Sequence, residues 1–193
     1  NLDDREIGFI NIDALIVNAS DFANTINIAS TSSFTTIEVI SGDDDDIFNV
    51  QSISAATTLR TGDHNDTVNI HSDQTMEQIQ ENLTVYTQSG FDTINISDAA
   101  DGSFQTGTLT STELTGLGIG TAHSIKYYDT ELLNIGLGTA DNHFDIQSTH
   151  ANQTNLTSQQ GDDIFNIKTI SGLTNIDSGS GDDQVTMVGI WTP

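Results

Sequence analysis

The chain has 193 residues, enough for one domain of ordinary size or two small ones. Its hydrophobic content of 35% is below the usual globular share, which argues against a thick layered core and for a thin one repeated along an axis. A net charge of −24, from 28 acidic and 4 basic residues, argues against nucleic acid and against an anionic membrane surface as partners. Charge this unbalanced must be solvated, spaced out or neutralised by cations, and the last of these predicts metal binding. Cysteine is absent, so disulfides and thiolate zinc sites are excluded. No stretch approaches the roughly 18 apolar residues of a membrane span, so membrane insertion is not expected.

Taken in chain order, the elements are short strands in two alternating classes. The first class holds Leu15/Val17, Ile37/Val39, Thr57/Leu59, Leu83/Val85, Leu133/Ile135, Thr154/Leu156 and Thr174/Ile176. The second is a recurring phrase: 24–28, 46–50, 66–70, 92–96, 142–146, 163–167 and 183–187, as in Asp66-Thr-Val-Asn-Ile70. Both classes alternate apolar with polar, so each strand has one inward face. A Gly/Asp turn joins them at Ser41–Asp46, Thr61–Asp66 and Ser178–Asp183, where glycine permits a left-handed backbone. Two segments break the rhythm. Ser72 to Glu81 has capping residues and good helix formers and predicts a short helix. Asp98 to His123, rich in Gly, Ser and Thr, predicts an irregular rung or hairpin.

Successive phrases end 22, 20, 26, 50, 21 and 20 residues apart, and the 50 reads as about two rungs, one of them degenerate. A unit of two strands and two turns cannot bury its own apolar face, so units must stack at about 4.8 Å in parallel register. The expected fold is therefore all-β: a right-handed parallel β-solenoid of about 8 rungs of about 20 residues. Ile26, Phe48, Val68, Ile94, Phe144, Phe165 and Val185 are expected to form one inward column, and Asn27, Asn49, Asn69, Asn95, Asp145, Asn166 and Thr186 an outward polar one. A larger repeat of about 118 residues relates 7–28 to 125–146. It divides the chain into a first module, 1–123, with insertions at 72–81 and 98–123, and a partial second module, 124–193, continuous with the first.

The turns Thr61-Gly-Asp-His-Asn-Asp-Thr-Val-Asn69 and Ser178-Gly-Ser-Gly-Asp-Asp-Gln-Val-Thr186 resemble the calcium-binding nonapeptide repeats of RTX proteins. Ile125 to Ile135, Gly136-Leu-Gly138, Phe144 and Gly161-Asp-Asp163 resemble the tandem repeats of large adhesin-type surface proteins. The resemblance implies a calcium-filled parallel β-roll, secreted or on the cell surface. Here only one corner is Gly/Asp-rich, and the period is longer than that of an RTX roll.

Stacked carboxylates repel unless a cation sits among them, and calcium takes 6–8 oxygens of the kind this corner offers. The expected Ca2+ sites join Asp43, Asp45 and Asp46 with Asp63 and Asp66, and Asp162 and Asp163 with Asp182 and Asp183. The alternative is that these residues only close Asx turns. N-glycosylation sequons stand at Asn18, Asn65, Asn82, Asn95, Asn152 and Asn155. The five histidines show no metal spacing and read as solvated surface residues; Tyr86, Tyr127 and Tyr128 read as packing or edge residues in preference to a sugar platform.

The function expected is a non-enzymatic structural or adhesive element that stacks end to end, with neighbouring modules, identical subunits and glycans as candidate partners. A calcium-responsive RTX-type folding or secretion module is the alternative. A polysaccharide-degrading β-helix enzyme is disfavoured, because the acids follow a repeating column instead of one unique pair and basic groups for an acidic substrate are scarce.

Overall fold

The computed structural model describes residues 12–71 and 73–188. The start of the 118-residue repeat, residues 7–11, lies outside the described residues. The described residues form 17 strands. In chain order these are β1 (Ala14–Asn18), β2 (Thr25–Ile28), β3 (Thr36–Ile40), β4 (Ile47–Val50), β5 (Thr57–Arg60) and β6 (Thr67–Ile70). There follow β7 (Leu83–Tyr86), β8 (Thr93–Ser97), β9 (Thr106–Leu109), β10 (Glu113–Gly116), β11 (Ile125–Tyr128) and β12 (Leu132–Gly136). The last are β13 (His143–Ile146), β14 (Gln153–Thr157), β15 (Ile164–Ile167), β16 (Thr174–Asp177) and β17 (Gln184–Met187).

The fold is a β-solenoid of about 8 turns of about 22 residues. One sheet runs β1-β3-β5-β7-β11-β10-β9-β13-β15-β17 and the other β16-β14-β12-β8-β6-β4-β2. Every pairing is parallel except the two made by β10, which is antiparallel to β9 and to β11. Except along β9, β10 and β11, successive strands alternate between the two sheets, and the inward residues meet in one thin core. Phe48, Leu59, Val68, Leu83, Ile94, Leu133, Phe144 and Phe165 are all fully buried there. Each such side chain contributes about 1.5–3 kcal/mol through removal from water.

Seven asparagines cover the outer face of the second sheet in an unbroken column: Asn27, Asn49, Asn69, Asn95, Asn134, Asn155 and Asn175. From Asn49 onward, each side-chain amide donates to the Oδ1 of the asparagine one coil earlier, at 2.8–2.9 Å. The column follows the expected one as far as Asn95 and then departs from it. Asn134, from the first strand class, sits over Asn95, and Asp145 and Asn166 form a separate pair in the other sheet.

The inward column splits at the same place. Ile26, Phe48, Val68 and Ile94 continue into Leu133, Thr154 and Thr174, whereas Phe144, Phe165 and Val185 stack on Gly107. The cause is the β9–β10 hairpin. It adds two strands to one sheet and none to the other, so the strand classes exchange sheets and the 50-residue spacing is not a whole number of coils. Gly107 is needed there, because an added Cβ would lie 2.5 Å from the Phe144 ring.

The segment 98–123 therefore holds a hairpin, as expected, but 72–81 is not a helix. Among its described residues it makes turns, and Ile79 forms a parallel bridge to Ile53. Met76 and Ile79 are both fully buried. Burying these two under the coil outweighs the local helix propensity of their neighbours.

Asn95 donates to Asn69 and accepts from Asn134, so Asn95→Ala breaks two links of the column. The expected loss is about 1–2 kcal/mol, read as the shift in urea midpoint. Asn175→Ala breaks one link at the end of the column and is expected to cost less.

Candidate functional site

Each phrase begins at a corner where the chain enters the strand, and the corner residues form two columns. The inner column runs Asn24, Asp46, Asp66, Asp92 and, separately, Asn142, Asp163, Asp183. Within the first run each backbone N–H donates to the Oδ1 of the next coil, Asn24 to Asp46 at 2.6 Å, Asp46 to Asp66 and Asp66 to Asp92 at 2.8 Å, and the Asp92 N–H donates to Glu131 Oε2 at 2.9 Å. Asn142 donates to Asp163 at 2.6 Å and Asp163 to Asp183 at 3.0 Å. The outer column runs the other way. Asn65 N–H donates to Asp45 Oδ1 at 3.0 Å, Asp162 to Asp141 at 2.8 Å and Asp182 to Asp162 at 2.8 Å. Stacked acids are thus held by charge-assisted bonds from backbone amides, a means of relieving their crowding that the residue pattern alone does not reveal.

The inner acids are also desolvated. Asp46, Asp66, Asp92 and Asp163 are at most 1% exposed. The Oδ2 atoms of Asp46, Asp66 and Asp92 have no hydrogen-bond partner, whereas that of Asp163 accepts the Ser158 hydroxyl at 2.5 Å. Burial raises Asp66 to about 7, against the pull of the Thr61 hydroxyl and the Asp46 N–H. Burial raises Asp92 to about 6, helped by the charges of Glu131 and Asp129.

The remaining acids expected to bind calcium occupy the rim. Asp43, Asp45, Asp63, Asp162 and Asp182 are exposed, Asp183 is half-buried, and Asp63 Oδ1 accepts the Ser89 hydroxyl at 2.5 Å. Among the described residues, none of the nine joins a group of three acids or histidines whose ligand atoms lie within 4.8 Å of one another. The group that does so is Glu77, Asp98 and Asp101. It lies in the two irregular segments, where no repeat signals it. Burial, then the charges of Asp101 and Glu77, raises Asp98 to about 7.

Of the sequons, Asn18, Asn65, Asn82 and Asn152 are exposed. Asn95 and Asn155 are half-buried within the asparagine column, and a glycan there would require the amide to leave its partner. Histidine exposure differs from expectation: His64 is exposed, but His71, His123, His143 and His150 are half-buried. His123 contacts Glu81 and His143 contacts Asp145, each at 3.3 Å. The tyrosines pack. Tyr127 is buried and donates its hydroxyl to Thr110 O at 2.6 Å, and Tyr86 stacks on Tyr128 at 5.0 Å beneath Arg60.

No known family model, curated protein or solved structure matches the chain. What the molecule does must be read from its own geometry, and the remaining feature of that geometry is an open end. Among the described residues, β17 and β16 have no partner on their far sides. Val185 and Met187 lie in register over buried Phe165 and Ile167 yet are 53% and 66% exposed. Val188 and Leu173 beside them are also exposed. Among the described residues nothing covers the core columns at this end, and one more coil would fit over them.

Proposed function

We propose that the protein is a non-enzymatic structural or adhesive β-solenoid, extracellular or on a cell surface, that extends by stacking coil on coil with another copy of itself or with an adjoining module. The open apolar end carries this reading. Unpaired strand edges are templates for further strands, and here the edge comes with exposed core residues in register. The corner acids support a structural role, since their oxygens accept bonds that tie one coil to the next. Placement outside the cell follows from the resemblance to RTX and surface-protein repeats.

The test is sedimentation velocity of the purified chain over a range of concentrations. The wild type is expected to form elongated oligomers. Val185→Glu together with Met187→Glu places two charges on the contact face and is expected to leave monomers that keep the wild-type circular dichroism. Oligomers of unchanged size in the double variant would refute stacking through this end.

A calcium-responsive module is the second reading, favoured by the partnerless Oδ2 atoms of Asp46, Asp66 and Asp92. A column of such atoms calls for protons or cations. Circular dichroism of chelator-treated protein separates the readings: a calcium switch requires the β signal to appear only on adding Ca2+, and a constitutive rod requires it to be present without.

A further inference from the structure

We propose that Glu77, Asp98 and Asp101 form a calcium site that pins the 72–81 loop and the β9–β10 hairpin to the regular coils. The ligand oxygens of the three lie within 4.8 Å of one another. Asp98 is 0% exposed and Asp101 8%. Asp98 Oδ1 accepts the Met76 N–H at 3.1 Å, while its Oδ2, buried in the same cluster, has no hydrogen-bond partner. An unpartnered buried carboxylate oxygen beside two further carboxylates is the arrangement a cation resolves.

The surroundings fix two of the ligands and leave the third accessible. Asp98 N–H donates to Gly136 O at 2.8 Å and Asp101 N–H to Asp98 O at 2.9 Å, so both acids sit on a tied turn. Asp101 Oδ1 accepts the Ser103 N–H at 2.9 Å and its Oδ2 the Gln105 side-chain amide at 2.6 Å. Glu77 is half-buried and lies against the hairpin end, where a Cβ on Gly118 would stand 3.1 Å from its Oε1. Glu77 is the least buried of the three acids.

The donor set selects the ion class. Three carboxylates and no nitrogen or sulfur make a hard, all-oxygen site. Calcium accepts irregular geometry and 6–8 oxygens, including bidentate carboxylates and water, whereas magnesium demands near-ideal octahedra. The site is separate from the corner columns and does not depend on stacking at the open end.

The test is isothermal titration of Ca2+ into the full chain after chelator treatment, paired with thermal melts. The wild type is expected to bind Ca2+ and melt higher with it. Asp98→Asn and Glu77→Gln are each expected to bind one ion fewer per chain, or to bind it at least tenfold more weakly, and Asp162→Asn at the corner to keep this ion. In chelator, Asp98→Asn is expected to melt higher than the wild type, since it removes a buried charge and retains an acceptor for Met76. Glu77→Gln changes a half-buried side chain and serves if Asp98→Asn does not fold. No uptake by the wild type at millimolar Ca2+, or equal ion number and affinity in wild type and variants, would overturn the assignment.

Discussion

Stability is expected to rise as the pH is lowered from 8 to 5, opposite to the acid destabilisation of most proteins. Much of the cause lies in the inner corner; Asp98, also raised to about 7, acts in the same direction, and His150, whose pKa burial lowers, opposes it. Asp66 titrates near 7 and Asp92 near 6 in the folded chain, against 3.8 for the unperturbed group. Between those limits the folded protein holds protons that the unfolded chain has released, so falling pH favours folding. This stabilisation is complete below about pH 4 and is lost as the pH climbs through 6 and 7. A shift of one pKa unit corresponds to about 1.4 kcal/mol, so the two groups together supply a few kcal/mol. Repulsion within a chain of net charge −24 acts in the same direction.

Urea midpoints at pH 5 and pH 8, both in chelator, measure the effect. Asp66→Asn separates the corner from general repulsion. The asparagine keeps an Oδ1 for the Asp46 N–H but has no charge to bury. It is expected to be more stable than the wild type at pH 8 and to lose a large part of the pH dependence. Asp43→Asn, an exposed change of equal charge, is expected to change little. Stability that is level or increasing from pH 5 to pH 8 would show that the inner acids are not desolvated as described.

The second large effect is expected at Gly62, where one coil passes over the next. Its φ is +102°, and a Cβ would lie 1.6 Å from the carbonyl oxygen of Gly42, which is backbone and cannot step aside. Gly62→Ala must strain the corner or push two coils apart, and a separation there disturbs the Asp46–Asp66 bond beside it. The expected cost is about 3 kcal/mol or more, combining left-handed strain with overpacking. Gly102→Ala is the control: its nearest neighbour is Thr139 Oγ1 at 3.9 Å, and the change is expected to stay within about 0.5 kcal/mol. Equal midpoints for the two variants would mean that the coils do not approach as closely as the corner requires.

The solenoid was legible because period-two alternation and a recurring phrase are local signals. Asn27, Asn49, Asn69 and Asn95 share one column for the reason their spacing suggests. The exchange of strand classes beyond Asn95 was not legible, because it depends on how many strands the hairpin lends to each sheet. Ser72 to Glu81 misled for a different reason: its helix formers are real, but Met76 and Ile79 are needed in the core. At the corner, aspartate composition pointed to cations, while the N–H bonds that hold Asp46, Asp66 and Asp163 appear only once register brings neighbouring backbones alongside. Glu77, Asp98 and Asp101 carry no motif, and the hairpin junction alone brings them together.

Electron cryo-microscopy of the concentrated protein tests most directly whether these coils are built to continue into one another. The expected particles are thin rods longer than one chain, with strand layers about 4.8 Å apart perpendicular to the rod and the asparagine column continuing across each junction. Single-chain particles at every concentration, or chains joined side by side with their coil ends free, would contradict it.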